Sequence, residues 1–213
     1  MTLPVVILAG GLATRMRPIT EKIPKSLIEV AGKPFISHQL KFLRSQGIRR
    51  VVVCTGYLGK MIEEVIGLGG DLGIEVTYSY DGVKLLGTGG AINKALPFLD
   101  ESFFVLYGDS FLPINFEPVQ RAYFSSRKPA LMTIMKNSGK WDKSNVSFSG
   151  GQLLEYNKQS PSSDMNYIDF GLSVLSRALF ANYQKDCVFD LSEIFEQMSK
   201  NSQIEGYLVN NRF

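Results

Sequence analysis

Val5-Val6-Ile7-Leu8-Ala9-Gly10-Gly11 sets a continuous apolar run against a pair of glycines. A run without polar alternation reads as a strand buried on both faces, as in a parallel sheet. Glycines at its end let backbone N–H groups come close to a ligand, and such a turn can cradle phosphate oxygens. Leu12-Ala13-Thr14-Arg15-Met16-Arg17-Pro18 follows, and then Pro24-Lys25-Ser26-Leu27. Arg15 offers a planar fork able to grip two phosphate oxygens, and Lys25 a compact point charge. Two cations and a glycine turn beside one strand end describe a polyphosphate site, whereas a strand followed by Gly-Gly alone is equally well a structural turn.

Working outward, Ile36, Leu40 and Leu43 fall at helical spacing between Pro34 and Ser45, with Gly47 as a stop signal. Val51-Val52-Val53-Cys54 reads as a second buried strand, and Met61, Val65 and Ile66 as a short helix closed by Gly67. Ile74 to Tyr78 alternates as a third strand. Ala91 to Leu99 predicts a helix ended by Pro97, and Phe103 to Tyr107 a fourth apolar strand. Beyond it, Ala130 to Met135 and Ile168 to Val174 read as strands and Leu191 to Met198 as a helix. Alternating strands and helices predict βαβ units. The fold class is therefore α/β: one three-layer αβα, Rossmann-like domain over residues 1–213, with a mixed, mostly parallel sheet and its ligand beyond the carboxyl ends of the strands.

Composition narrows the function. At 45% hydrophobic and 20% charged, the 213 residues can bury a core without disulfides. Lys and Arg outnumber Asp and Glu by only 23 to 20, too even a balance for nucleic acid as the main partner. Cys54 and Cys187 show no Cys-x-x-Cys spacing and read as reduced residues. With no apolar segment of membrane-spanning length, a cytoplasmic protein without a membrane partner is expected. Gly56-Tyr57-Leu58-Gly59-Lys60 is too short for a P-loop, and the glycines between Gly67 and Gly73 mis-space a dinucleotide fingerprint.

Leu-Ala-Gly-Gly-x-x-x-Thr-Arg-x-Arg-Pro-x-Thr from Leu8, with Pro-Lys-Ser-Leu from Pro24, closely resembles the signature of the sugar-1-phosphate nucleotidyltransferases. Leu86-Gly87-Thr88-Gly89-Gly90-Ala91 resembles that family's second nucleotide loop, Tyr107-Gly108-Asp109-Ser110 its Gly-Asp metal motif, and Ile168-Asp169-Phe170-Gly171 its sugar-pocket strand.

The resemblance implies an enzyme that joins a nucleoside triphosphate to a sugar 1-phosphate and releases pyrophosphate. It places the nucleotide on Leu8, Ala9, Gly10, Gly11, Thr14, Arg15, Gly87, Thr88 and Gly89. Lys25, Lys158, Asp169 and Gly171 would hold the sugar phosphate, and Asp109 would hold Mg²⁺; Arg15, Lys25 and Asp109 would carry catalysis. Read from their own context, Gly87 to Gly89 are also consistent with a tight turn before a helix starting near Ala91. Asp169 could bind sugar hydroxyls or equally cap the chain. Lys158 stands in Tyr156-Asn157-Lys158-Gln159, without the Glu and Pro that flank the family's lysine.

The resemblance also implies a second metal carboxylate soon after an Arg-Phe or Trp, which here would lie past Phe213, so either the domain lacks its C-terminal end or its metal site differs. Within the family the glycine loop and the strand around Asp169 look most like heptose- or mannose-1-phosphate guanylyltransferases, hence GTP. Uridylyl transfer to an amino-sugar 1-phosphate, or a catalytically silent nucleotide-sugar-binding paralogue, are the alternatives, and a homo-oligomer is left open. His38 is expected at the surface or capping, Trp141 as a lid or packing residue, and Phe103, Phe104 and Phe213 in the core.

Overall fold

The computed structural model describes residues 2–137, 139 and 141–210. In chain order its strands are β1 (Val5–Leu8), β2 (Glu29–Val30), β3 (Lys33–Pro34), β4 (Arg50–Thr55), β5 (Glu75–Tyr80), β6 (Ser102–Tyr107), β7 (Ala130–Lys136), β8 (Val146–Ser149), β9 (Gln152–Tyr156), β10 (Tyr167–Ser176) and β11 (Ile204–Val209). The helices are α1 (Phe35–Ser45), α2 (Gly59–Ile66), α3 (Gly87–Ala95), α4 (Phe116–Ser126) and α5 (Leu191–Lys200).

Among these residues nine strands form one sheet whose main path runs β11-β7-β10-β6-β1-β4-β5, with the β8-β9 hairpin attached beside β10. β1 pairs in parallel with both β4 and β6, and β4 in parallel with β5. β10 runs antiparallel between β6 and β7, which makes the sheet mixed. The chain leaves β1 for β4 on one side and returns with β6 on the other. The crevice between β1 and β6 is thus the point where strand order reverses, where open α/β sheets leave room for a ligand.

Alternation along the strands divides the core. Val6, Val52 and Val105 pack with Ile92 and Ala95 of α3 and Ile194 and Phe195 of α5. Val5, Ile7, Val51 and Val53 pack with Ile36, Leu40 and Leu43 of α1, Ile62 of α2 and Val119 of α4. Both faces of the central strands are covered, which is why their sequences are uniformly apolar, and the three layers are the α/β arrangement expected. Phe103 and Phe104 are fully buried on opposite faces; Phe213 lies outside the described residues. No helix among the described residues is long and apolar enough to cross a membrane.

One boundary departs from the sequence reading. The helix expected to begin near Ala91 begins at Gly87, and Leu96–Phe98 is a separate 3-10 turn. Glycines disfavour a helix start, but here Phe189 O accepts hydrogen bonds from Gly89 N (3.1 Å) and Gly90 N (3.3 Å), satisfying amides that the first turn leaves unpaired.

Candidate active site

Two connected hollows open above the β1-β6 crevice. The inner, about 290 Å³, is lined by Leu8, Ala9, Gly10 and Gly11 after β1, Cys54 at the end of β4, Leu85, Gly87, Thr88 and Ala91 at the start of α3, and Tyr107, Gly108 and Asp109 after β6. Ala13, Lys25 and Ser26 complete its lining. The outer, about 450 Å³, is lined by Leu12, Thr14, Arg15 and Met16 and shares Ala13, Lys25, Leu85 and Asp109 with the inner. Arg15, Lys25 and Asp109, far apart in sequence, therefore meet in one cleft.

The two hollows differ in chemistry. Leu8, Ala9, Cys54, Leu85 and Ala91 give the inner one largely apolar walls, suited to a flat, weakly polar group. The outer one carries the guanidinium of Arg15 and the ammonium of Lys25, and Lys25 Nζ lies 2.7 Å from Asp109 Oδ2 with both side chains partly open to water. Burial pushes the Cys54 thiol far up, so it stays a neutral wall residue.

Local packing explains the glycines. A Cβ on Gly10 would stand 3.0 Å from Gly56 N, whereas one on Gly11 would meet nothing within 4 Å. Gly10 is thus required by the neighbouring turn, and Gly11 leaves space open beside the cavity. Gly87 has φ +73°, and its Cβ would come within 2.5 Å of Phe189 O. Gly89 does not line either hollow; its Cβ would fall 2.2 Å from the Phe189 ring. Thr88 lines the inner hollow, but its Oγ1 accepts from Leu191 N at 2.8 Å, tying α3 to the start of α5. Phe189 O takes the Gly89 and Gly90 amides, so two of the four first-turn amides of α3 are turned to the protein itself. The cationic outer cleft is the better anion site.

Lys158, Asp169 and Gly171 line neither hollow; Asp169 feels the charge of Lys158 and the amide of Gly171, and its own charge acts on Tyr107. Asp169 lies at a bulge in β10, where the register to β7 jumps between Asp169 and Ser173 and Gly171 takes φ +102°. Burial pushes the Asp169 carboxyl up to about 6, against the hydrogen bond from Gly171 N (2.8 Å) and the charge of Lys158. Lys158 Nζ is 3.7 Å from Asp190 Oδ2, and Asp190 caps α5 through Ser192 N at 2.8 Å. Burial and the negative charges of Asp169, Asp190 and Asp109 push the Tyr107 hydroxyl up. A Cβ at Gly171 would stand 3.5 Å from Leu112 and 4.0 Å from Ser110, so this cluster abuts the loop of Asp109.

Two contributors escaped the sequence reading. Ser26, quoted only as part of a string, is 3% exposed and lines the inner hollow, and its Oγ has no hydrogen-bond partner among the described residues. Asp81, 7% exposed and raised by burial, accepts from Leu86 N at 3.2 Å and lies under the Gly10 and Gly56 turns. Nothing in its local pattern marks it as buried. His38, expected at the surface or capping, is half-buried and reaches Val30 O at 2.7 Å, and Trp141 is 56% exposed.

Comparisons with known proteins agree with this geometry. Over 112 residues the chain is 40% identical to the N-acetylmuramate alpha-1-phosphate uridylyltransferase of Neisseria meningitidis, covering 52% of this chain and 48% of that protein. It is 26% identical to the D-glycero-alpha-D-manno-heptose 1-phosphate guanylyltransferase of Campylobacter jejuni over 98% of this chain and 91% of the relative. A mannose-1-phosphate guanylyltransferase catalytic subunit of Xenopus tropicalis matches at 29% over 93% of this chain, which spans only 57% of that protein's length. Among solved structures, HddC from Yersinia pseudotuberculosis complexed with GMP-PN superposes with a TM-score of 0.79 at 22% identity, covering 98% of this chain and 91% of that one. The inositol-1-phosphate CTP transferase from T. maritima gives 0.77 at 19%, covering 99% and 86%; at such identities these likenesses speak for the fold. The nucleotidyl transferase family model matches residues 4–143, from the strand before the glycine turn to beyond Asp109. On that match and on this arrangement of β1, β6 and α3, the chain belongs to the nucleotidyl transferase family.

Proposed function

We propose that this protein transfers a nucleotidyl group from a nucleoside triphosphate to a sugar 1-phosphate, releasing pyrophosphate. The observation that carries the reading is that Arg15, Lys25 and Asp109 share one cleft opening from an apolar hollow at the strand-order switch. The base and ribose occupy the inner hollow and the triphosphate runs outward over Gly11 and Thr14. An oxygen of the sugar phosphate attacks the α-phosphorus in line. The bond to the bridging oxygen breaks, and pyrophosphate leaves with its electron pair. Arg15 draws charge toward the departing group, and Lys25 lies between two phosphates that otherwise repel. Such a transfer needs positioning and charge stabilisation and no covalent nucleophile.

The donor set fits Mg²⁺. Among the described residues no three acidic, His or Cys side chains cluster as a metal cage, and Mg²⁺ bound with phosphates needs only one or two protein carboxylates. Asp109 would hold it, and the ion would neutralise charge on the phosphate oxygens. Asp169, Gly171 and Lys158, a cluster that meets the Asp109 loop at Gly171, would receive the sugar phosphate.

We place GTP first as donor and a heptose- or mannose-type 1-phosphate as acceptor, because the guanylyltransferase likeness runs nearly the whole chain. Uridylyl transfer to an amino-sugar 1-phosphate is the second reading, favoured by the higher identity over the stretch shared with the Neisseria relative. Pyrophosphate release measured for four nucleoside triphosphates against a panel of sugar 1-phosphates tests both. Turnover with GTP and a heptose or mannose 1-phosphate supports the first, and turnover confined to UTP the second. Binding of nucleotide sugars without turnover in any pair would mark a silent, nucleotide-sugar-binding protein.

A further inference from the structure

Lys25 and Asp109 stand on separate segments, and neither segment is regular structure that would hold its side chain in place. Lys25 begins a 3-10 turn, and Asp109 lies in the loop just past β6. What fixes both is one helix behind them. Gln39 of α1 is 1% exposed, and its Nε2 donates to Tyr107 O at 2.9 Å and to Ser110 O at 2.6 Å. These two carbonyls bracket Gly108 and Asp109. The preceding residue of the helix, His38, donates from Nε2 to Val30 O at 2.7 Å. Phe35 N, at the start of the helix, donates to Ile28 O at 3.0 Å. Adjacent residues of α1 therefore grip the chain on either side of the cleft: one the loop of Asp109, the other the strand that follows the Lys25 turn.

We infer that Gln39 is the positioning residue of the site, using both protons of one buried amide to set the loop that presents Asp109 to Lys25. The inference rests on the transfer reading above. An amide suits the task because it supplies two donors in a fixed plane, and a buried carbonyl left without a donor is unfavourable. A side chain of equal length without donors fills the space but leaves Ser110 O without its donor and Tyr107 O with only the Ser110 N bond at 3.1 Å. The loop then shifts, and a displacement of the order of 1 Å in a reacting geometry can cost about 10²-fold in rate.

The experiment compares Gln39→Met with Gln46→Met. Gln46, at the far end of α1, accepts from Phe116 N at 3.2 Å and lies away from the cleft, so it controls for loosening of the helix. Gln39→Met is expected to lower kcat by roughly 10-fold or more, with KM for the nucleotide changed little, while Gln46→Met keeps kcat. Amide resonances of Gly108, Asp109 and Ser110 should move in the first variant and stay in the second. Unchanged kcat and unchanged resonances in a folded Gln39→Met protein would overturn the inference. If that variant does not fold, the wild-type spectrum decides: both Gln39 side-chain protons should exchange slowly, and free exchange would overturn it. Absent turnover in the wild-type protein would sink the transfer reading instead, leaving the resonances to judge Gln39 alone.

Discussion

The Lys25 ammonium lies 2.7 Å from Asp109 Oδ2, closing a gap of 84 positions in sequence. The contact is open to solvent, so as a surface ion pair it adds little to stability. On the proposed transfer its value is orientation: two groups of opposite charge face each other where phosphates would be brought together. Lys25→Ala and Asp109→Ala are each expected to lower turnover by on the order of 10²-fold or more, with Tm nearly unchanged. Steady-state pyrophosphate release and thermal melts check this, and near-normal rates would remove both residues from the chemistry.

Ser26 gives a test with opposite signs in two measurements. Its buried Oγ lacks a partner among the described residues, and an unsatisfied buried hydroxyl costs about 1–3 kcal/mol. Ser26→Ala should leave the free protein as stable or slightly more so. If a rotated hydroxyl meets the bound nucleotide, the same change should raise KM for the nucleotide several-fold. Equal nucleotide-induced shifts in Tm for both proteins would show that Ser26 makes no such contact.

Gly89 should tolerate no side chain. Its Cβ would lie 2.2 Å from the Phe189 ring, and overpacking of this kind costs typically about 1–3 kcal/mol. Gly89→Ala should lower the urea midpoint, and Phe189→Leu on that background should recover part of the loss. Additive losses in the double variant would mean that the two do not press on each other.

The Asp169 carboxyl, pushed up to about 6 by burial, makes stability pH-dependent. In the unfolded chain it ionises near its ordinary value, so between that value and about 6 only the folded protein keeps the proton. The contribution is present at low pH and lost as pH rises through 6, when the charge must be held away from water. Asp169→Asn should flatten this step, gaining on wild type as pH rises from the ordinary carboxylate value to about 6, and melts across that range measure it. Because the Lys158 charge lowers this carboxyl, Lys158→Ala should move the Asp169 titration higher in a carbon-13 spectrum.

Local rules made the strand from Val5 to Leu8 and the helix ending at Ser45 readable, because uniform burial leaves an unbroken apolar run and one-sided burial leaves a stripe. The same rules missed α4, whose first turn holds Pro118 and which is announced mainly by the Asn115 cap. They also missed the short β8-β9 hairpin beside β10 and the half-exposed edge strand β11 on β7. The meeting of Arg15, Lys25 and Asp109 was expected from the resemblance, and the cleft they share is visible only in three dimensions. Gln39 was invisible because it acts through two backbone carbonyls, a role that leaves no pattern in its own neighbourhood. Gly89 illustrates the converse: a glycine inside a nucleotide-type string whose fixed requirement comes from an aromatic ring 100 positions later in the chain.

That ring carries a lesson for anyone trimming the gene. The family match ends at 143, yet Phe189 roofs the glycine side of α3 and its carbonyl holds the first amides of that helix. β10, too, slots between β6 and β7 from beyond the match. A fragment cut at the boundary of the match would expose β6 as a raw edge and leave α3 to fray at its glycines. Expression work should keep the later third of the chain, since it splints the two thirds that look self-sufficient on paper.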